Sequence, residues 1–289
     1  MTMNVDSLET STLSLLQQAV NTKADGTKAY WLLDQSSLPQ GTWLKRLVGQ
    51  SNWVDVLGGT SEATFNGATP ILVTASGACA TPRFVEALYR AGRFANSVSL
   101  VHSALNLAAL QDLMHQSAHI ELPDAFEAML RYFDTRTLPL LPQLLSAPQY
   151  AAFMHSISHW AYLDRWGQLK FMPAARPSPE KREAKRMGLV LDERQEAQLI
   201  DDGLTDAVID MLLTQQHPGL QALSPPEQFD VVEPLIQSAR AQGLTEFLEA
   251  FAFAANALEQ GGDFNQREPW LSRLKHYRAK QCSLEEVFE

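Results

Sequence analysis

The sequence has few cysteines, no excess of basic residues and no long apolar segment. Its two cysteines, Cys79 and Cys282, match no metal-binding or redox spacing, so we expect reduced thiols and a cytoplasmic location. The formal charge of −10 argues against a nucleic-acid partner, which would need a basic surface. Because no run of about 18 apolar residues occurs, no membrane insertion is expected. Residues 1–13 lack the basic and apolar regions of a signal peptide.

Motifs that carry catalysis or cofactor binding are also missing. The loop from Thr74 to Pro82 joins a predicted strand to a predicted helix, a place where phosphates often bind. It has neither the three-glycine fingerprint nor a Gly-Lys-Ser/Thr ending, so a tight turn is the better interpretation. Cys79 in this loop could be an activated thiol near a helix start, but no local His or Asp supports that role. A Gly-x-Ser-x-Gly elbow is absent as well.

One pair of histidines has a spacing that could suit a metal. His155 and His159 are four residues apart, which on a helix would put both imidazoles on one face. The Glu of a metalloprotease motif is absent, and no third ligand is evident. The segment also fits a strand. We therefore predict structural histidines, with no metal and no other cofactor.

The order of apolar runs and helical patterns predicts an α/β lobe over residues 1–172. Residues Ala29–Leu33 and Pro70–Ala75 are short apolar runs typical of buried strands, and a helix is predicted over residues 42–48. Pro82 begins a predicted helix, which is followed by a strand over Ser97–His102. Strands that alternate with helices favour a mostly parallel sheet.

A change in composition predicts two further parts of the chain. Residues 173–188 are rich in proline and basic residues, which is typical of an exposed linker. Docking of an acidic partner there is the less favoured alternative. Residues 189–289 show only helical patterns and form a predicted all-helical C-terminal lobe. Within it, Ser224 and Glu227 have the spacing of a capping box at a helix start.

The chain between Phe126 and Leu138 predicts an organising corner of the first lobe. The segment has a period-two pattern rich in aromatic residues, which suits a strand with one or both faces buried. In it Phe126, Ala128, Leu130 and Tyr132 alternate with Glu127, Met129, Arg131 and Phe133. Asp134 follows, where it could cap the next helix, and it is bracketed by Arg131 and Arg136. These residues could also be a catalytic acid with two clamps, but a single carboxylate gives no general acid–base pair. A structural role is the better prediction.

The helix predicted after Thr245 is apolar on more than one face. Phe247 and Phe251 lie on one side, and Phe253 and Ala257 lie nearly opposite. One face would fill the core of the lobe, while the other would need the α/β lobe or a partner to cover it. We therefore predict partner binding by Phe247, Phe251, Phe253 and Ala257. The alternative is a helix that is buried on all sides by its own chain.

Three stretches, in this order, resemble one bacterial protein family. They are Tyr30-Trp-Leu-Leu-Asp34, Thr69-Pro-Ile-Leu-Val73 and Leu130-Arg-Tyr-Phe-Asp-Thr-Arg-Thr-Leu138, followed by a leucine-rich helix and Trp160. The set is similar to the domain of unknown function associated with type VI secretion adaptor proteins, over roughly residues 28–165. One departure is Thr135, since the family usually has proline after the aspartate.

The resemblance implies a function in effector loading. Such adaptors act as chaperones that bind a secreted toxic effector and load it onto the VgrG spike protein. We therefore expect a cytoplasmic adaptor without catalysis of its own, with a structural motif that includes Asp34, Arg131, Asp134 and Arg136. The alternative is an enzyme of unidentified type with a pocket at the carboxyl ends of the strands. A purely structural assembly component is a third possibility.

Overall fold

The computed structural model describes most of the chain, and the structural statements below refer to the residues that it describes. These are residues 5–22, 26–38, 49, 52–58, 69–175, 189–262 and 264–288. The helix predicted over residues 42–48 and the part of the predicted linker from Arg176 to Gly188 lie outside them. The chain forms two compact units, Met1–Leu199 and Ile200–Glu289. The predicted boundaries at residues 172 and 189 stay predictions.

The first unit combines two sheets with five helices in its described part. Its strands are β1 (Lys28–Asp34), β2 (Trp53–Asp55), β3 (Pro70–Thr74), β4 (Val98–Ser103), β5 (His119–Glu121), β6 (Glu127–Met129), β7 (Ile157–Leu163), β8 (Leu169–Phe171) and β9 (Leu189–Val190). Its helices are α1 (Val5–Asn21), α2 (Pro82–Gly92), α3 (Leu107–Ala118), α4 (Leu141–Leu144) and α5 (Ala147–Phe153). A further helix, α6 (Glu193–Thr214), contains the boundary between the units.

The main sheet has six strands in the order β2-β3-β1-β4-β7-β8, and every neighbouring pair is antiparallel. The prediction of a mostly parallel sheet was therefore wrong. The chain passes from β3 through α2 to β4, and these two strands run in the same direction. However, β1 lies between them and is antiparallel to both. A parallel pair occurs only in the small sheet of the described chain, where Ile120 of β5 aligns with Leu189 of β9.

Helices cover both faces of the main sheet, which explains the continuous apolar runs of its central strands. Alternate side chains of each strand enter two separate cores. One core, which includes residues of α3 and α5, takes from the strands Tyr30, Leu32, Leu72, Val101, Trp160 and Tyr162. The other, which includes residues of α1 and α2, takes Trp31, Leu33, Ile71, Val73, Leu100 and Ala161. Parallel sheets are commonly buried on both faces. An antiparallel sheet is buried in the same way when helices cover both of its faces.

The predicted strand at the corner is much shorter than its alternating pattern suggested. Only Glu127–Met129 is a strand, paired with β5, and Phe126 is 62% exposed. The chain after Leu130 is a series of turns up to α4. Tyr132 is nevertheless fully buried, because its hydroxyl donates to the Met114 carbonyl at 2.7 Å and its ring packs edge-to-face on Trp160. Leu130, Tyr132 and Phe133 are thus buried without forming a strand.

The second unit is helical throughout its described part. It contains the end of α6, followed by α7 (Pro218–Gln221), α8 (Pro225–Ala241), α9 (Phe247–Gln260), α10 (Trp270–Arg278) and α11 (Leu284–Phe288). The predicted capping box is present at the start of α8, where the Ser224 N–H donates to Glu227 Oε2 at 2.8 Å. Two clusters of buried side chains form the core of this unit. In the described ranges of the whole chain, no helix has the length and apolarity needed to cross a membrane.

Candidate functional site

The end of β1 contributes a buried carboxylate, Asp34. Its side chain is fully buried, and Oδ2 accepts a hydrogen bond from Arg131 Nη2 at 3.0 Å. Oδ1 accepts two more, from the N–H of Ser36 at 2.9 Å and from the Ser36 hydroxyl at 2.7 Å. The guanidinium of Arg131 is half-exposed and also lies over the ring of Phe133, 5.5 Å from its centroid. The ion pair thus connects β1 to a segment 97 residues later.

A second ion pair follows in the same segment. Asp134 Oδ2 accepts from Arg136 Nη2 at 2.6 Å, while Oδ1 accepts from the backbone N–H and from Nε of Arg136, each at 3.0 Å. The side chain of Asp134 therefore closes a turn. The prediction that it caps the next helix was wrong, because α4 begins only at Leu141. Proline at position 139 disfavours helical backbone in the residue before it, which delays the helix.

Thr135, between Asp134 and Arg136 in the chain, connects the turn to the main sheet. Its N–H donates to the Asn96 carbonyl at 2.8 Å, just before β4 begins, and its hydroxyl donates to the Leu163 carbonyl at 2.6 Å, where β7 ends. The N–H of Asp34 donates to the Ser97 carbonyl at 2.9 Å. We call Asp34, Arg131, Asp134, Thr135 and Arg136 the arginine corner. It joins the adjacent ends of β1, β4 and β7.

The arrangement of the arginine corner suits architecture better than acid–base catalysis. Each carboxylate accepts hydrogen bonds from a guanidinium and from the backbone, so its lone pairs are engaged by fixed donors. A general acid or base must instead reach the substrate whose proton it transfers. The side chains of Asp34 and Asp134 are 0% and 10% exposed, which leaves them little access to a substrate.

The histidines are distributed differently from the predicted pair. His155 precedes β7 and His159 lies within it, so the two do not share a helical face. The close pair is instead His115 and His119, whose Nε2 atoms are 3.1 Å apart. His102 is buried, and burial together with the nearby His159 lowers the pKa of its imidazole. In the described part of the chain, His, Cys, Asp and Glu side chains form no group of three or more that could hold a metal ion.

The small-residue loop around Cys79 lies against the core. Cys79 is fully buried in a short 3-10 helix, Gly77–Ala80, and its carbonyl accepts a hydrogen bond from Trp31 Nε1 at 2.9 Å. Thr81 then caps α2, with its hydroxyl accepting from the N–H of Phe84 at 3.3 Å. The thiol therefore lies in the interior, where a dissolved reagent or substrate does not reach it.

The predicted partner-binding residues lie largely inside the second unit. Phe253 is 1% exposed, Ala257 is also buried, and the Phe253 ring packs against Phe264 and Trp270 at centroid distances of 5.1 and 5.7 Å. Phe247 and Phe251 are half-buried against the other cluster of the unit. Both sides of α9 are thus covered by the unit itself. Phe253 and Ala257 offer no surface here, and partner binding by Phe247 and Phe251 stays a prediction.

Sequence reasoning named all four charged residues of the arginine corner but missed how they pair. Asp34 and Arg131 are too distant in the sequence for a local pattern to connect them. The close His115–His119 pair was missed too, although its spacing of four residues was a visible signal. Of the two arginines that bracket Asp134 in the sequence, Arg136 pairs with it and Arg131 pairs with Asp34.

Comparison with known protein families gives a match within the first unit. No curated protein and no solved structure matches the chain. Residues 29–152 match a family described as a domain of unknown function (DUF4123). The matched stretch begins in β1, ends in α5 and contains both ion pairs of the arginine corner. This part of the chain is therefore similar to DUF4123.

Proposed function

We propose that the protein is a type VI secretion adaptor, which binds a secreted toxic effector and loads it onto a VgrG-type spike protein without catalysis of its own. The observation that supports this most is the match of residues 29–152 to DUF4123. All three stretches that resemble the adaptor family lie within those residues.

The contacts among these three stretches also support the proposal. Tyr30–Asp34 belongs to β1, and β3, which contains most of the second stretch, is its antiparallel neighbour. The third stretch is joined to the first by the ion pair between Arg131 and Asp34. The residues that carry the resemblance therefore build one framework. A framework of this kind can present surfaces for partners, which is what an adaptor requires.

Exposed apolar side chains give the protein possible anchors for partner proteins. In the first unit Phe126 and Phe171 are 62% and 58% exposed, and in the second unit Ile200 and Leu248 are 67% and 62% exposed. Large apolar side chains that insert into pockets of a partner commonly dominate the binding free energy of protein interfaces. Two partners, effector and spike, would need two such surfaces.

Co-expression tests the proposal directly. The tagged full chain is expressed with a VgrG-type spike protein and a candidate toxin from the same source, and the complexes are isolated through the tag and through the spike. We expect the chain to retain the toxin, and the spike to carry the toxin only when the chain is present. Equal loading of the spike in its absence, or failure of the chain to retain either protein, would contradict the proposal.

A corner variant separates architecture from recognition in the same assay. Asp134→Ala removes the acceptor for Arg136 and should lower the free energy of unfolding by about 1–3 kcal/mol, because donors in a partly buried turn lose a charged partner. Below its melting temperature, the variant should retain the toxin like the parent. A variant that melts like the parent but no longer binds would instead make the corner a recognition site.

A further inference from the structure

Two imidazoles meet where α3 ends and β5 begins. His115 lies in the last turn of α3, and His119 is the first residue of β5. Their Nε2 atoms are 3.1 Å apart, and the planes of the two rings are nearly perpendicular, at 86°. Both side chains are half-buried, so the pair is partly open to the solvent.

The distance between these two nitrogens suits a shared metal ion as well as a hydrogen bond. Imidazole nitrogens bind ions such as zinc at about 2.0–2.1 Å, so two nitrogens 3.1 Å apart subtend an angle of about 95–102° at the ion. This angle lies between those of octahedral and tetrahedral coordination. A hydrogen bond between two neutral imidazoles needs a proton on one Nε2, and that nitrogen becomes a metal ligand when the proton moves to Nδ1. The pair can therefore bind one ion with little movement of the backbone.

A methionine lies beside the histidine pair. Met129 of β6 is the cross-strand partner of His119, so the two side chains share one face of the small sheet. Directly opposed residues have Cβ atoms about 4.5–5.5 Å apart, a distance that the long, flexible side chain of methionine can span. In the described part of the chain, no Asp, Glu or Cys completes a group of three ligands with the two histidines. The donors at this place are therefore two nitrogens and one thioether sulfur.

The same face of the small sheet also carries two opposed carboxylates. Glu121 lies two residues after His119 on β5, and its cross-strand partner is Glu127 of β6. Both are exposed, and within the described ranges neither forms an ion pair. Like charges that lie directly opposite each other destabilise a pair of strands, and a cation bound nearby offsets this repulsion. The face therefore favours a positively charged ligand.

We infer that His115, His119 and Met129 form a binding site for a copper(I) ion. Imidazole suits zinc, nickel, iron and copper, whereas thioether sulfur selects copper(I), so copper is the ion that satisfies both kinds of donor. The bound ion connects the end of α3 to the hairpin of β5 and β6, whose loop contains the exposed Phe126. The site is independent of the proposed function, because it requires neither an effector nor a spike protein.

Anaerobic titration with copper(I) tests the histidine pair. The tag-free full chain competes for copper(I) with the chromogenic chelator bicinchoninate, and every protein carries Cys282→Ser because the half-buried Cys282 thiol would also bind the ion. We expect the parent to bind one copper(I) ion. His115→Ala should weaken binding by about 100-fold or more, since loss of even an outer partner of a metal ligand costs about 10–100-fold. His155→Ala removes an exposed histidine outside the pair and should leave the affinity unchanged.

A conservative change at Met129 tests the third donor. Met129→Leu keeps the volume of the side chain and removes its sulfur. It should weaken copper(I) binding by about ten-fold, and the sulfur contribution to the X-ray absorption spectrum of the copper(I) complex should disappear. Zinc binding should be equal in the parent and in Met129→Leu, because a thioether is not among the usual ligands of zinc.

Three results would overturn the inference. They are a parent that does not compete for copper(I), equal losses of affinity in His115→Ala and His155→Ala, and a Met129→Leu variant that binds copper(I) as tightly as the parent. Melting curves followed by circular dichroism check that each variant folds, and His115→Gln replaces His115→Ala if the latter does not. The co-expression test of the adaptor uses no copper, so the two proposals can fail separately.

Discussion

Replacement of Asp34 by alanine should destabilise the protein far more than the loss of an ordinary surface ion pair. The carboxylate is fully buried and accepts three hydrogen bonds, two from Ser36 and one from Arg131. Hydrogen bonds to charged groups contribute about 1.5–3 kcal/mol each to stability. The guanidinium of Arg131 is 51% exposed and can be hydrated in the variant, which reduces the cost. We therefore expect a loss of about 2–4 kcal/mol.

An exposed ion pair elsewhere in the first unit provides the matched control. Arg90 and Glu86 are 2.6 Å apart in α2, but their side chains are 68% and 49% exposed. Pairs of this kind contribute about 0–1 kcal/mol, because water and salt screen the charges. Arg90→Ala should therefore cost about 0.5 kcal/mol or less. The N–O distances in the two ion pairs are both short. The difference in stability between the two variants therefore measures the effect of burial.

Denaturant unfolding of the full chain, followed by tryptophan fluorescence, measures both losses. A double-mutant cycle with Asp34→Ala and Arg131→Ala then gives the coupling free energy of the buried pair, which should be about 1–2 kcal/mol. Equal stability of Asp34→Ala and Arg90→Ala would refute the argument that the arginine corner holds the ends of the strands together. So would additive losses in the cycle, because they would mean that Arg131 does not stabilise Asp34.

Three further predictions concern the packing and titration of other side chains. Phe253→Ala should lower the free energy of unfolding by about 3–5 kcal/mol because it empties a site in the aromatic core, and a loss below about 1 kcal/mol in denaturant unfolding would mean that this site is not core. Tyr277 donates to Glu249 Oε1 at 2.6 Å, which raises the pKa of Tyr277 to about 12. Tyr277→Phe should therefore cost about 1 kcal/mol below pH ~10, and the difference from the parent in denaturant unfolding should vanish as the pH rises towards 12. The pKa of His102 is lowered from 6.5 by burial and by His159, so its contribution to stability is present above about pH 6.5 and is lost as the pH falls. Unfolding at pH ~7.5 and ~5.5 should show a smaller acid-induced loss for His102→Gln than for the parent, and equal losses would contradict the lowered pKa.

The positions of strands and helix ends could largely be predicted from the local sequence, because neighbouring residues determine them. The apolar runs Ala29–Leu33 and Pro70–Ala75 correspond to β1 and β3, and the capping box at Ser224 begins α8 as predicted. A strand that is buried on both faces needs apolar residues at successive positions, whatever its neighbours are. A capping box involves only residues within one turn of helix. Neither signal depends on distant parts of the chain.

The relative direction of neighbouring strands could not be predicted from the local sequence. Alternation of strands and helices correctly indicated a crossover between β3 and β4, but it did not reveal that β1 lies between them. Strand order depends on which pairings bury the most surface in the whole unit, and no short segment encodes it. The same limit applies to the arginine corner. In the sequence Arg131 lies beside Asp134, whereas its ion-pair partner is Asp34.

Position 135 shows how a departure from the family pattern can be understood once the contacts are known. The resemblance leads one to expect proline after Asp134, and proline has neither a backbone N–H nor a hydroxyl. In this chain Thr135 uses both groups, the N–H for the Asn96 carbonyl and the hydroxyl for the Leu163 carbonyl. Proline would stiffen the turn, whereas threonine fastens it to the sheet with two hydrogen bonds.

The match to DUF4123 ends before the helical region begins, and this limit has a physical basis. Residues 29–152 contain the central strands and the arginine corner, where each side chain has partners that are distant in the sequence. A substitution there disturbs several contacts at once. By contrast, a cavity of about 320 Å³ in the second unit lies beyond the matched stretch, and its lining comes from residues 256–288 alone. Substitutions within this one segment can therefore change the charge and shape of the cavity. We therefore expect relatives of this chain to share the framework of residues 29–152 and to differ more in the helical region.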